Sequence, residues 1–157
     1  TADELTGLFN RRGFNQLVRF TLSVARRRAE PLTLGWLDLD RFKEINDRYG
    51  HEEGDKALKV MAQLMRSAFR EADMLVRFGG DEFAVLFADT DEQGAWIAMQ
   101  YLAEQVESYN ARKLHPWSLH FSWGLSEFDH NGNDLQQWLK DADEKMYAMK
   151  QQRQRAR

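Results

Sequence analysis

Apolar residues recur along the chain in two periods, and the change from one to the other marks out its elements. Three-to-four spacing appears at Phe14, Leu17, Val18, Thr21, Val24 and Ala25, which predicts a helix to about residue 28. It returns at Ala57, Leu58, Val60, Met61, Leu64, Met65, Ala68 and Phe69, then at Ala95, Trp96, Ala98, Met99, Leu102, Val106 and Tyr109. A last stripe holds Leu135, Trp138, Leu139, Ala142, Met146 and Met149. These stripes predict helices over about 54–69, 91–112 and 134–153, each with one buried face. Between them lie short runs of β-formers. Residues 32–40 are nearly continuously apolar, as a buried central strand is, and a short helix follows through about residue 48. Residues 74–76 and 83–87 flank Gly79-Gly80-Asp81-Glu82 and read as a hairpin around that turn. Trp117, Leu119, Phe121, Trp123 and Leu125 alternate with other residues, which predicts a strand with one buried face. Asp129-His130-Asn131-Gly132-Asn133 is a turn.

Strands alternating with helices make an α/β sandwich. A chain of 157 residues with 43% apolar content has the size and core of one domain, 1–157, with a basic tail over about 151–157 expected to be disordered. Charge then narrows the partners. A net charge of −3 argues against a nucleic-acid backbone binder, so any phosphate handled belongs to a small molecule. The five tryptophans have no basic residues interleaved and read as core or groove packing. Absence of cysteine excludes disulfides and thiolate catalysis, and the four histidines show no paired ligand spacing. No apolar run approaches the length of a membrane span and no signal pattern opens the chain, so a cytoplasmic domain without membrane contact is expected.

Candidate chemistry sits where strands end. The adjacent glycines Gly79 and Gly80 tolerate positive φ and let another molecule approach the backbone, and Asp81 and Glu82 put two carboxylates at the hairpin tip. A plain solvated turn is the alternative. Asp38 and Asp40 close the apolar strand on one side of it, where a carboxylate needs a cation or a donor. A strand that simply ends in solvent suits Asp40 better than Asp38. Arg41-Phe42-Lys43 opens a helix whose free amides suit an anion, although a lysine in a first turn is by itself a surface residue. Asn46 and Asp55 could together read guanine, the carboxylate accepting from its N–H groups and the amide reaching the acceptor edge. Taken singly they are a helix-end residue and an N-cap. Arg70 and Asp73 fit either a salt-bridged helix end or an arginine fork that binds guanine O6 and N7.

The segment Arg77-Phe78-Gly79-Gly80-Asp81-Glu82-Phe83 resembles the signature of the GGDEF family of diguanylate cyclases. The blocks 3–12, 38–47, 49–55 and 142–150 resemble that family's other blocks in content, order and spacing. The resemblance implies a central, mainly antiparallel sheet of about five strands flanked by helices, like nucleotidyl cyclases and polymerase palms. It implies that two GTP molecules are condensed to cyclic di-GMP and two pyrophosphates across a two-fold homodimer, controlled by an upstream regulatory or sensory domain. It makes Asp38, the Leu39 carbonyl, Asp81 and Glu82 the ligands of magnesium, with manganese as a substitute. GTP would be held by Arg41, Phe42, Lys43, Asn46, Asp55, Gly79, Gly80 and Lys150, with Lys43, Asp81 and Glu82 catalytic. Arg70 and Asp73 would form a site for inhibitory product. The chain departs from the family after Lys150, where Lys150-Gln151-Gln152-Arg153-Gln154-Arg155 stands in place of Lys-x-x-Gly-Arg-Asn, so the phosphate-binding arginine stays unassigned. A domain that senses nucleotide without catalysis is the rival reading.

Overall fold

The computed structural model describes residues 1–132 and 134–156; Asn133 of the predicted turn and Arg157 of the tail lie outside the described residues. Helix α1 (Arg11–Arg28) is capped by the Asn10 side chain, which accepts from the Gly13 amide at 2.9 Å, and ends in three arginines that oppose its C-terminal dipole. Strand β1 (Leu32–Leu39), helices α2 (Phe42–Tyr49) and α3 (His51–Ala68), strands β2 (Met74–Gly79) and β3 (Glu82–Ala88), helix α4 (Glu92–Ala111), strand β4 (Phe121–Glu127) and helix α5 (Leu135–Arg155) follow. The sheet order is β2-β3-β1-β4, with every neighbouring pair antiparallel.

This sheet is covered on both faces. Leu37, Val85, Phe87, Phe121, Trp123 and Leu125 pack with Leu58, Met61, Met65 of α3 and Met99, Leu102 of α4. On the other face Leu34, Trp36, Ala84 and Leu86 pack with Phe14 and Val18 of α1 and Trp138, Ala142 and Met146 of α5. Burial on both sides is why β1 reads as one apolar run. It also puts the even-numbered side chains of β1, Asp38 among them, on the α1/α5 side.

The antiparallel sheet flanked by helices is the one expected, and two local expectations, on β4 and on the start of α3, change. The described sheet has four strands where about five were expected; residues 1–10 run beside β2, but only Phe9 joins it, its amide donating to Leu75 O at 3.1 Å while its carbonyl accepts from the Arg77 amide at 2.8 Å. Strand β4 is not one-faced. Its alternate residues Ser122, Gly124 and Ser126 are buried too, because the backbone of α5 lies against them; the alternation is of large and small side chains. The strand begins at Phe121, and Trp117 and Leu119 keep the same rhythm only because their loop packs on α4, where the Asn110 side chain bonds both the amide and the carbonyl of Leu119. Helix α3 begins at His51, which places Asp55 inside the helix and removes its N-cap reading. Four tryptophans are core, and Trp96 lines a groove with Trp123 and Met149.

A β-carbon at Gly124 would lie 2.3 Å from Met146 N and 2.4 Å from Ala142 O, both backbone atoms of α5. Gly124→Ala is therefore expected to destabilise the fold by about 1–3 kcal/mol. Thermal unfolding measures it, and an unchanged midpoint would contradict the close seating of α5.

Candidate active site

Antiparallel pairing fixes where the acids meet. Asp38 lies opposite Glu82 across the β1–β3 ladder, so their side chains share a sheet face, and the Leu39 amide donates to Asp81 O at 3.2 Å. The turn is thereby clamped against the end of the central strand. Gly79 and Gly80 take φ of 141° and 52°, and the space above both is open. Arg77 stiffens the turn: its guanidinium donates to Gly80 O at 2.8 and 3.1 Å and pairs with Asp3 at 2.9 Å.

The electrostatics are those of a buried acid pair that one lysine offsets only in part. Burial, then a hydrogen bond with Asp81 and repulsion from it, push the Asp38 carboxyl up to about 7, while Lys150 pulls the other way. Glu82 is also raised, by burial and then by Asp143 and Asp81, against the attraction of Arg11 and Lys150. Asp38 Oδ1 is buried without a hydrogen bond, although the Lys150 ammonium is 3.1 Å away. The two observations agree once direction is considered: the pair is close in charge but poorly aligned. Among the described residues no three acidic or imidazole side chains form a metal-holding cluster. The carboxylates of Asp38 and Asp81 and the Leu39 carbonyl, with Glu82 across the ladder from Asp38, are what the site offers. That hard oxygen set fits a magnesium-sized ion that keeps open positions for water and phosphate.

Helix α5 brings cations to this strand end. Lys150 Nζ lies 3.3 Å from Leu39 O and 3.9 Å from Asp40, and Arg153 lies 3.4 Å from Asp40 and bonds Phe121 O. Asp40 is not solvated, as a strand end would suggest. It is buried, accepts from Ser122 Oγ at 2.8 Å, and is neutralised from α5. Its role is to anchor that helix.

On the other side, Arg41 adopts φ 57° and α2 starts at Phe42. Lys43 is exposed without an ion pair, whereas Arg41 reaches Glu44 at 3.7 Å. Asn46 lies against Gly54 so closely that a β-carbon there would be 1.8 Å from Asn46 Oδ1 and 3.4 Å from Phe42. The α2–α3 junction thus brings Phe42 and Asn46 against Gly54, and Asp55 is the next residue of α3, exposed. A cleft of about 750 Å³ lies elsewhere, lined by Arg41, Glu44, Arg48 and Trp117 on the opposite side of α2 from Lys43 and Asn46.

Arg70 and Asp73 lie at the far end of the hairpin from the glycine turn. Asp73 is buried and accepts from the Arg70 amide and Nη2, each at 3.0 Å, and from the Ala88 amide at 3.2 Å. Arg70 also reaches Ala88 O and Thr90 Oγ1, and its side chain is largely exposed. The salt-bridged end of α3 is therefore present, with a guanidinium turned to the surface. Arg77, Asp3, Arg11, Asp143 and Arg153 join the site only through folding. Short-range spacing carries no signal for them, apart from Arg77 beside the glycines and Asp3 in the first block.

The family model described as "Diguanylate cyclase, GGDEF domain" matches residues 1–156, and the chain belongs to this family. It is 38% identical over 140 residues to a cyclic di-GMP phosphodiesterase, NbdA, of Pseudomonas aeruginosa, covering 89% of this chain and 18% of that protein. It is 33% identical over 150 residues to the probable diguanylate cyclase DgcC of Escherichia coli, covering 96% of this chain and 40% of DgcC. The chain thus spans well under half of either relative. Among solved structures, the GGDEF domain of DgcB from Caulobacter crescentus in complex with c-di-GMP superposes with a TM-score of 0.87 at 25% identity, covering 96% of this chain and 90% of that one.

Raised carboxyls set a pH dependence. Between the ordinary Asp value of 3.8 and about 7, folded Asp38 keeps a proton that the unfolded chain has released, so stability falls as pH rises through that window. The unfolding midpoint of metal-free protein is expected to drop between about pH 5 and 7.5, and Asp81→Asn to flatten the drop. A midpoint that rises across this range would contradict the acid pair.

Proposed function

We propose that the chain is a diguanylate cyclase, and the observation that carries this reading is the apposition of Asp38 and Asp81 at the end of β1, beside Lys150 of α5. Asn46 and Asp55 orient the base, and the α2 amides with Phe42 and Arg41 seat the phosphates. Gly79 and Gly80 let the nucleotide lie against the turn. Lys43 and Lys150 neutralise the polyphosphate as charge moves onto the leaving group. Glu82, whose carboxyl burial and then Asp143 and Asp81 raise above its ordinary value, takes the proton of the 3′-hydroxyl. That oxygen bonds the α-phosphorus of a second GTP, the bond to the β-phosphate oxygen breaks, and pyrophosphate leaves. Magnesium, or manganese in its place, would be held by Asp38, Asp81, the Leu39 carbonyl and Glu82, and would supply charge neutralisation at the reacting phosphate.

Each domain holds one GTP, so two linkages require two domains face to face in a homodimer. An upstream regulatory or sensory domain that sets this pairing, a cytoplasmic setting with its GTP, and product inhibition through Arg70 and Asp73 belong to the same proposal. No helix among the described residues is long and apolar enough to cross a membrane. A nucleotide-sensing domain without turnover is the rival reading, and the complete acid set Asp38, Asp81 and Glu82 weighs against it.

Chromatography after incubating concentrated or artificially dimerised protein with GTP and magnesium tests the reading. Cyclic di-GMP is expected, and Asp81→Asn should lower its rate by on the order of a hundredfold or more. Bound GTP with no product in either preparation would overturn it. Asp55→Ala should raise KM for GTP by about tenfold or more, since a charged acceptor is lost from the base. In the same assay, Arg70→Ala should weaken inhibition by added cyclic di-GMP; inhibition unchanged in the variant would remove Arg70 and Asp73 from the regulatory site.

A further inference from the structure

The Lys150 ammonium occupies a position made of oxygens. It lies 3.1 Å from Asp38 Oδ1, 3.3 Å from Leu39 O and 3.9 Å from Asp40. The first two are the oxygens that the cyclase reading gives to a divalent cation. A magnesium-sized ion bound to them at about 2.1 Å would stand within a few ångströms of Nζ, where like charges repel strongly in a partly buried site. Both cations cannot stay.

We propose that Lys150 is the resident counter-ion of the cation position, and that a divalent ion binds by displacing its ammonium toward the polyphosphate. The inference rests on the cyclase reading for the identity of that polyphosphate. Three features make the exchange workable. Lysine is a point charge on a flexible four-carbon stem, so the ammonium can swing while α5 stays in place. Its contact with Asp38 Oδ1 is close without being an aligned hydrogen bond, so little directional bonding is given up. Asp40 loses only its most distant partner, because Arg153 and Ser122 remain on it. Metal and nucleotide then bind cooperatively, since the phosphates give the displaced ammonium a new partner. Departure of pyrophosphate returns Lys150 to Asp38 and loosens the ion.

Manganese alone, added to nucleotide-free protein and followed by the paramagnetic resonance of the unbound ion, tests the exchange without turnover. Lys150→Met is expected to bind manganese about tenfold or more tightly than the parent protein, because a competing unit charge is gone. Lys145→Met removes an equal charge from α5 at a residue paired with Glu92 and Asp141, and is expected to stay within about twofold of the parent. Equal or weaker binding by Lys150→Met, or no binding at all, overturns the exchange and leaves the cyclase reading standing if cyclic di-GMP is still made by the parent. Absence of that product overturns the reading beneath it. Should Lys150→Met not fold, acetylation of the parent protein mapped by mass spectrometry decides: manganese is expected to raise modification of Lys150 several-fold relative to Lys145. Unchanged or reduced labelling of Lys150 overturns the exchange.

Discussion

Asp38 and Asp81 repel one another, and the fold holds them together. Ladder pairing on both sides fixes β1, so Asp38 cannot retreat from the end of the strand, and the bond from the Leu39 amide to Asp81 O fixes the turn against it. A side chain free to move would relax such repulsion by turning into water. Here burial first, and then the hydrogen bond with Asp81 and repulsion from it, raise the Asp38 carboxyl to about 7, roughly three pH units above its usual value. Each unit corresponds to about 1.4 kcal/mol between protonation states, a large share of the stability of a small domain. An acid pair held in this way, at a strand end that also bears an open glycine turn, is what the proposed cation would neutralise.

The remaining architecture serves that strand end. Both sheet faces are covered, so β1 is immobile along its length. Small residues on one face of β4 let the backbone of α5 settle close, and this seating aims Lys150 and Arg153 at Asp38, Leu39 and Asp40. Arg77 ties the turn to Asp3, which makes the first residues of the chain part of the site's support. The α2–α3 junction stands to one side, where Gly54 gives Asn46 its room.

Much of this was legible in the sequence because it is local. Apolar spacing located the four long helices and the central strand, and the glycine turn with its two acids is contiguous in the chain. Where the reading failed, tertiary packing had altered the meaning of a local pattern. Large and small residues alternating in β4 look like buried and exposed ones, and Asp40 looks solvated until α5 is laid over it. Asp55 looks like a cap because Gly54 precedes it, yet α3 begins at His51. Arg153, Asp143 and Arg11 act on acids far away in sequence, and no spacing rule reaches that far. The inhibitory role of Arg70 and Asp73 rests on family resemblance; their packing shows a clamp between α3 and β3 with one guanidinium facing outward.

Anomalous scattering from manganese, in crystals grown with a GTP analogue that cannot release pyrophosphate, bears most directly on the acid pair. A manganese peak about 2.0–2.3 Å from carboxylate oxygens of both Asp38 and Asp81 is expected, with a phosphate oxygen completing its shell. A bound nucleotide with no metal between those two residues, or a metal held by other side chains, would contradict the role assigned to them.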